Sequence, residues 1–286
     1  MNATVPAKLS SRRRHRPARA VIGEGVMLLL SIIMLIPFYY LLVNVFKTKA
    51  EMTAMPLALP SGLFTENFTE VFARMKFFNS LKNTAILTFS TLLIVVVFGS
   101  MAGYAVARRK HGVYRVIMLY FLLGFMIPVQ TTMIPLFLLM QSFGLVNSIP
   151  GLILLASGSC SFSFFLYQGF VSGVPYDLEE SARIDGASVW RVFWQIVFPL
   201  LQPVTVTLAI FHVMGSWNDF VTPFLFLHSR ENSTLMLEMY RGVGEFTNDW
   251  PQMLASMVII MSPLVIFYLV AQRYIIAGLV SGALKG

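Results

Sequence analysis

Charge is scarce in this sequence. Only 12% of its 286 residues are Asp, Glu, Lys or Arg, about half the share an ordinary soluble domain carries. Hydrophobic residues make up 57%. A soluble fold of that composition would expose large apolar patches and aggregate, so lipid is the medium that fits it. Cysteine is scarcer still: Cys160, inside an apolar run, is the only one. That excludes an internal disulfide and a thiolate metal cluster, and leaves a buried, inert thiol. The dipeptide Gly-Lys does not occur, so the chain lacks the G-x-x-x-x-G-K-[ST] loop that cradles nucleotide phosphates. No His-Cys cluster and no catalytic triad stands in the polar loops. The chain is therefore read as a non-enzyme, with no catalytic residue, metal ligand or cofactor of its own.

What is present is a series of long apolar runs. A transmembrane helix needs about 20 such residues. Residues 25–46 supply the first run, and the arginines Arg12, Arg13, Arg14, Arg16 and Arg19 precede it. The run is too long for the core of a signal peptide, so it reads as an uncleaved first span behind a basic segment, residues 1–20. Residues 83–107 form the second run and stop at Arg108, Arg109 and Lys110. From Val116 to Tyr176 no charged residue occurs over 61 positions, too many for one crossing. Turn-forming Gln141, Ser142, Gly144, Asn147, Ser148 and Pro150 divide this stretch into spans at 116–140 and 150–170. Pro128 and Pro135 predict a kink in the third span. The fifth and sixth spans fall at 203–217 and 251–272. The expectation is an all-α polytopic membrane protein with six transmembrane helices, one domain over 21–286, and a polar loop at 171–202.

The net charge of +8 lies mostly at span ends, so membrane orientation explains it better than nucleic acid. With the N-terminus inside, 14 of the 21 Lys and Arg fall on the cytoplasmic side. Both termini are then cytoplasmic, in a cell membrane.

Ionisable groups are nearly absent from the spans themselves. Ion-coupled transporters place carboxylates at membrane depth to hold a proton or sodium ion. Here Glu24 lies at the edge of the first span, and His212 is the one titratable side chain deep in a span. His212 reads either as a coupling residue or as a hydrogen-bonded packing residue. Energy for transport must then come from a partner.

The most informative segment is 175–203, P-Y-D-L-E-E-S-A-R-I-D-G-A-S-V-W-R-V-F-W-Q-I-V-F-P-L-L-Q-P. Asp177, with Glu180 three residues on, has the spacing of a capping box. A short helix to about Asp185 should end at Gly186 in a left-handed turn. Ser188 then caps a second helix, whose apolar face is Val189, Val192, Phe193, Ile196 and Val197. The tip is small and acidic: Glu180, Ser181, Ala182, Asp185, Gly186 and Ala187. Small residues allow close approach, and a short rigid helix suits a groove on another protein.

This segment resembles the E-A-A-x-x-x-G signature of binding-protein-dependent ABC permeases. The family's glutamate falls on Glu180, its small residues on Ser181 and Ala182, and its aspartate-glycine-alanine on Asp185, Gly186 and Ala187. Ser181 stands where alanine is usual. Pro199 to Pro203 matches the family's proline-leucine-leucine-x-proline. Asn79-Ser80 with Asn83-Thr84, Met126-Ile127-Pro128, Trp217-Asn218-Asp219, and Gln272-Arg273-Tyr274 with the tail to Gly286 are similar to the carbohydrate branch, the relatives of the second maltose-importer permease. The resemblance implies the type I ABC importer permease fold. It also implies a second permease, two ATPase subunits that hold ATP and Mg, and an extracytoplasmic solute-binding protein. The 177–187 helix would couple to the ATPase, with Lys285 and Gly286 as secondary contacts.

For substrate, aromatic and amide groups near the path, Gln130, Trp217 and Asn218, suit a sugar; the same types also anchor helices at the lipid interface. No basic residue lines the spans deeply, which favours a neutral sugar over a glycerol phosphate; a polyol importer and an ion-coupled secondary transporter are the rival readings. The loop 220–250 is polar and net negative, as a contact for the binding protein or as a plain connection.

Overall fold

The structure, a computed structural model, describes residues 18–109, 111–245 and 249–283. The basic residues 12–16, Lys110, Lys285 and Gly286 lie outside the described residues. The chain divides into two compact units, 1–64 and 65–286.

In the first unit, α1 (Ala18–Asn44) carries an apolar window, Ile22–Asn44, long enough to cross a membrane. It ends two residues before the expected boundary because Asn44 turns its side chain onto the following loop. Asn44 Nδ2 donates to the carbonyls of Tyr40 (2.8 Å) and Pro56 (3.0 Å). Lys47, fully buried, donates to Asn44 Oδ1 (3.1 Å) and to the Met55 carbonyl (2.8 Å). A buried ammonium is tolerated only with such acceptors around it. Thr48 caps the short α2 (Lys49–Ala54) by accepting from Glu51 N.

The second unit is built on α4 (Phe77–Arg108), which follows α3 (Glu66–Arg74). After α4 come α5 (Gly112–Met126), α6 (Val129–Ser142), α7 (Ile149–Ala156) and α8 (Cys160–Ser172). Then follow α9 (Asp177–Ile184), α10 (Val189–Val192), a π turn at Phe193–Val197, α11 (Phe198–Leu200) and α12 (Gln202–Asn218). The last elements are α13 (Val221–Phe226), α14 (Leu235–Glu245) and α15 (Trp250–Ala283). Every regular element among the described residues is helical.

Small residues let α4 and α8 meet closely. A Cβ on Gly99 would lie 2.1 Å from Ser163 Oγ, and one on Gly103 would lie 2.8 Å from the backbone N of Gln168. In a lipid-embedded bundle, where no water drives association, such close packing is a main source of cohesion. Phe121 of α5 stacks on Phe164 of α8 at 4.3 Å.

Two of the stretches that the sequence presents as apolar spans, 116–140 and 150–170, are bent, and a third bend falls just before the fifth. α5 and α6 meet at 98°, far more than the expected kink. Pro128 lacks an N–H and pushes Ile127 out of helical geometry (φ −78°, ψ 118°), so the helix stops outright. Pro135, nearly two turns into α6, is carried without a break. A 3₁₀ turn at Ser157–Ser159 bends α7 and α8 by 42°. The 73° bend before α12 falls at Leu201, between Pro199 and Pro203. The α6–α7 turn is where the sequence puts it, with Gly144 (φ 67°) and Asn147 (φ 58°) left-handed and Ser148 capping α7.

Candidate functional site

At the Arg108 end of α4, the helix α9 begins in a way the capping-box spacing does not predict. Its N-cap residue is Tyr176, in αR geometry and without a side-chain cap. Asp177 instead falls inside the first turn with Glu179 and Glu180, where three carboxylates favour the positive end of the helix dipole. The C-terminus follows expectation. Gly186 takes φ 82°; its N–H bonds the Arg183 carbonyl (3.0 Å) and the Ala187 N–H bonds the Ala182 carbonyl (2.9 Å). These two bonds make a Schellman closure, which fixes the direction of the turn. Ser188 Oγ accepts from Arg191 N (3.4 Å) and starts α10.

The residue that fixes α9 in place is Glu179, fully buried. Its Oε1 accepts from Arg108 Nε (2.6 Å), and its Oε2 from Tyr104 OH (2.7 Å) and Arg183 Nη2 (3.4 Å). Arg108 Nη2 also donates to the Val174 carbonyl (2.8 Å). Beneath this network Tyr104, Tyr167, Val171, Val192, Phe193, Val197 and Leu201 form one core, with Ala182 and Ala187 packed against it. Of the predicted docking residues, Glu180, Ser181, Asp185 and Gly186 are therefore exposed on the outer face, while Ala182 and Ala187 face inward. Ile184, 81% exposed, joins the outer face with Glu180 at helical spacing. Sequence reasoning passed over both Glu179 and Ile184. The helical period was the available signal, since residues 177, 180, 181 and 184 share one face and 179, 182 and 183 turn from it.

Midway along the bundle a cavity of about 480 Å³ opens between α4, α6, α8 and α12. It brings together two of the three predicted path residues, Gln130 and Asn218, with His212, Ser216, Asp219 and Thr222. His212 Nε2 pairs with Thr91 Oγ1 (2.8 Å), and Thr88 Oγ1 with Ser216 Oγ (2.9 Å), so α12 is pinned to α4 through hydroxyl contacts. Trp217 stands apart from this lining; its indole Nε1 is buried without a hydrogen-bond partner.

At the far end of α4 the described part of the loop, residues 220–245, is a built structure rather than a plain connection. It contains α13 and α14 and is stitched to α4 by the Asn79 and Asn83 amides, which donate to the Glu231 carbonyl (2.6 and 2.7 Å). Thr84 Oγ1 accepts from Leu235 N (2.9 Å). The Asn79-Ser80, Asn83-Thr84 motif thus has a structural use. Arg230 donates to the buried Glu238 through Nη2 (2.6 Å) and pairs with Glu245 (3.2 Å). Burial alone would lower the Arg230 pKa, but these carboxylates outweigh it and raise it. Lys76, hydrogen-bonded to Glu231, holds that carboxyl below its usual range. Asn147 joins the same end, its Oδ1 accepting from the backbone N–H groups of His228 (3.0 Å) and Ser229 (2.9 Å).

An apolar helical bundle with a cavity in its middle, largely apolar but carrying a few amide, hydroxyl and imidazole groups, and a rigid helix braced at one end fits a membrane transport subunit. Comparison with known proteins makes this specific. The model of the family "Binding-protein-dependent transport system inner membrane component" matches residues 95–280, and the chain belongs to that family. It is 36% identical over 261 residues to the probable starch degradation products transport system permease protein AmyC of Thermoanaerobacterium thermosulfurigenes, covering 90% of this chain and 94% of that one. It is also 36% identical to the melibiose/raffinose/stachyose import permease protein MelC of Bacillus subtilis, covering 88% and 91%. A chain from the crystal structure of a bacterial ABC transporter that imports the acidic polysaccharide alginate superposes with a TM-score of 0.79 at 20% identity, over 91% of this chain and 98% of that one. The fold is thus that of an ABC importer permease.

Proposed function

We infer that this chain is one of two permease subunits enclosing the path of an ATP-driven sugar importer. The reading rests above all on the outer face of α9, held rigid by the Glu179 network and the Gly186 closure. Of two ATPase subunits, which hold ATP and Mg, one docks there through Glu180, Ser181 and Asp185, while Ala182 and Ala187 seat the helix on its own core. Closure of the ATPase dimer pulls on α9, and the network passes the movement to α4. Two global states biased by nucleotide and solute need such a stiff link. Lys285 and Gly286 are secondary contacts for the ATPase. This end of α4 is cytoplasmic, as are both termini, and a solute-binding protein meets the opposite side.

The substrate reading has two supports. Relatives named for starch degradation products and for melibiose, raffinose and stachyose cover most of the chain. The cavity offers amide and hydroxyl groups from Gln130, Asn218, Ser216 and Thr222, the chemistry that binds a neutral sugar. A solved alginate transporter in complex with its pentasaccharide-bound periplasmic protein, TM-score 0.61, gives an example of the assembly.

Mild-detergent purification of the tagged chain, followed by mass spectrometry, tests the reading. A second six-span permease and an ATPase are expected to accompany it. Recovery of the chain alone, from membranes that import the solute, would remove the reading.

A further inference from the structure

A second cavity lies at the Arg108 end of α4, about 250 Å³ in volume and separate from the path. One wall is apolar: Met101 and Ala105 of α4 face Phe193 of the π turn. Three guanidinium side chains also line it: Arg108, nearly buried against Glu179, and the more exposed Arg109 and Arg183. No acidic side chain stands among the described lining residues; Glu179 lies behind the wall, where it pairs with Arg108 and Arg183. Among the lining residues and the Glu179 behind them, three guanidinium groups face one carboxylate; the other carboxylates of α9 and its C-cap, Asp177, Glu180 and Asp185, are exposed and outside the lining. Arg109 engages the Tyr114 hydroxyl and ring. Tyr176 and Trp190, 44% and 61% exposed, frame the opening.

The place of this cavity decides what fits it. Arg108 closes the apolar helix Phe77–Arg108, so the mouth sits at a membrane boundary and the apolar wall runs from it toward the hydrocarbon. Tyr and Trp collect at that depth. Guanidinium groups match phosphate oxygens in geometry and charge. Basic pockets at the ends of membrane helices attract anionic lipid headgroups.

We propose that this groove holds one phospholipid with an anionic headgroup, its phosphate against Arg109 and Arg183 and the start of an acyl chain along Met101, Ala105 and Phe193. The lipid braces the joint between α4 and α9–α10, so the lipid composition of the membrane tunes how firmly α9 is held. The inference does not depend on the transported solute.

Trp190 reports occupancy directly. The tagged chain, with whatever subunits accompany it, is placed in vesicles containing brominated phosphatidylglycerol or brominated phosphatidylcholine. The quenching that disappears in Trp190→Phe belongs to this residue. We expect the anionic phosphatidylglycerol to be preferred, and Arg109→Gln to reduce the preference about fivefold, the factor matching ~1 kcal/mol for one basic residue near the surface. Arg191→Gln, an exposed charge at the same end but outside the groove, is expected to leave it unchanged. Equal quenching by both lipids, or equal loss in both variants, would reduce the effect to diffuse attraction and overturn the site. Absence of quenching by either lipid would mean protein covers the groove, and displacement by millimolar inorganic phosphate would make it a free-anion site; both also overturn the proposal.

Discussion

At Glu179 a carboxylate is buried with a phenol and two guanidinium groups, while its neighbour Glu180 faces outward. The two substitutions should therefore separate stability from coupling. Glu179→Ala leaves Arg108, only 12% exposed, without its carboxylate partner. Breaking a buried pair in this way costs about 3–5 kcal/mol. A marked fall in the thermal midpoint in detergent is expected, and an unchanged midpoint would contradict the bracing role. Glu180→Ala removes an exposed side chain and should alter stability by no more than about 0.5 kcal/mol. It should nevertheless abolish solute uptake by membranes that contain the full complex; normal uptake would release Glu180 from the docking face. The outward face was legible in the sequence because Glu180, Ser181 and Gly186 belong to one short helix and its cap. The helical period could have turned Glu179 inward, but not its partner: Arg108 lies 71 positions earlier in the chain.

At the scale of elements, the apolar runs located the helices well, since residues 83–107, 203–217 and 251–272 all lie within single helices. Direction was less legible. A proline marks where a helix loses a hydrogen bond, but the angle of the break depends on what packs behind it. Hence Pro128 ends α5 at 98° and Pro135 passes without a break. The close seam of α4 with α8 was not anticipated either, although Gly99 and Gly103 are four residues apart on one face. The two glycines should respond differently to a methyl group. At Gly99 the obstacle is a side chain, Ser163 Oγ at 2.1 Å and Cβ at 2.8 Å. At Gly103 it is mostly backbone, Gln168 N at 2.8 Å and the Phe164 carbonyl at 3.1 Å. Overpacking of this kind costs about 1–3 kcal/mol. Gly99→Ala combined with Ser163→Gly should recover most of the stability that Gly99→Ala loses, whereas Gly103→Ala with Ser163→Gly should show no recovery. Equal behaviour of the two pairs in a thermal double-mutant cycle would contradict the seam.

For the whole molecule the decisive matter is which side each end occupies, and α4 gives a ruler. Its 32 residues rise 1.5 Å each, so it is ~48 Å long against a hydrocarbon core of ~30 Å. Its start is bonded to Glu231, through Lys76 and Asn79, and its end to Glu179 through Arg108. The segment around Glu231 and the tip of α9 must then lie on opposite sides of the membrane. The expected orientation puts the α9 end in the cytoplasm: with the N-terminus inside, 14 of the 21 Lys and Arg of the sequence fall on that side, and basic residues are retained there. Single cysteines in a Cys160→Ser background test both statements. Asp185→Cys should react with an impermeant maleimide only after the cells are opened, and Glu231→Cys should react in intact cells of a host whose outer layers admit the reagent. The reverse pattern would leave the fold standing but remove α9 from the ATPase, since an extracytoplasmic helix cannot meet a cytoplasmic motor. Labelling of both sites from one side would mean that α4 does not cross the membrane, and with it the six-span arrangement would fall.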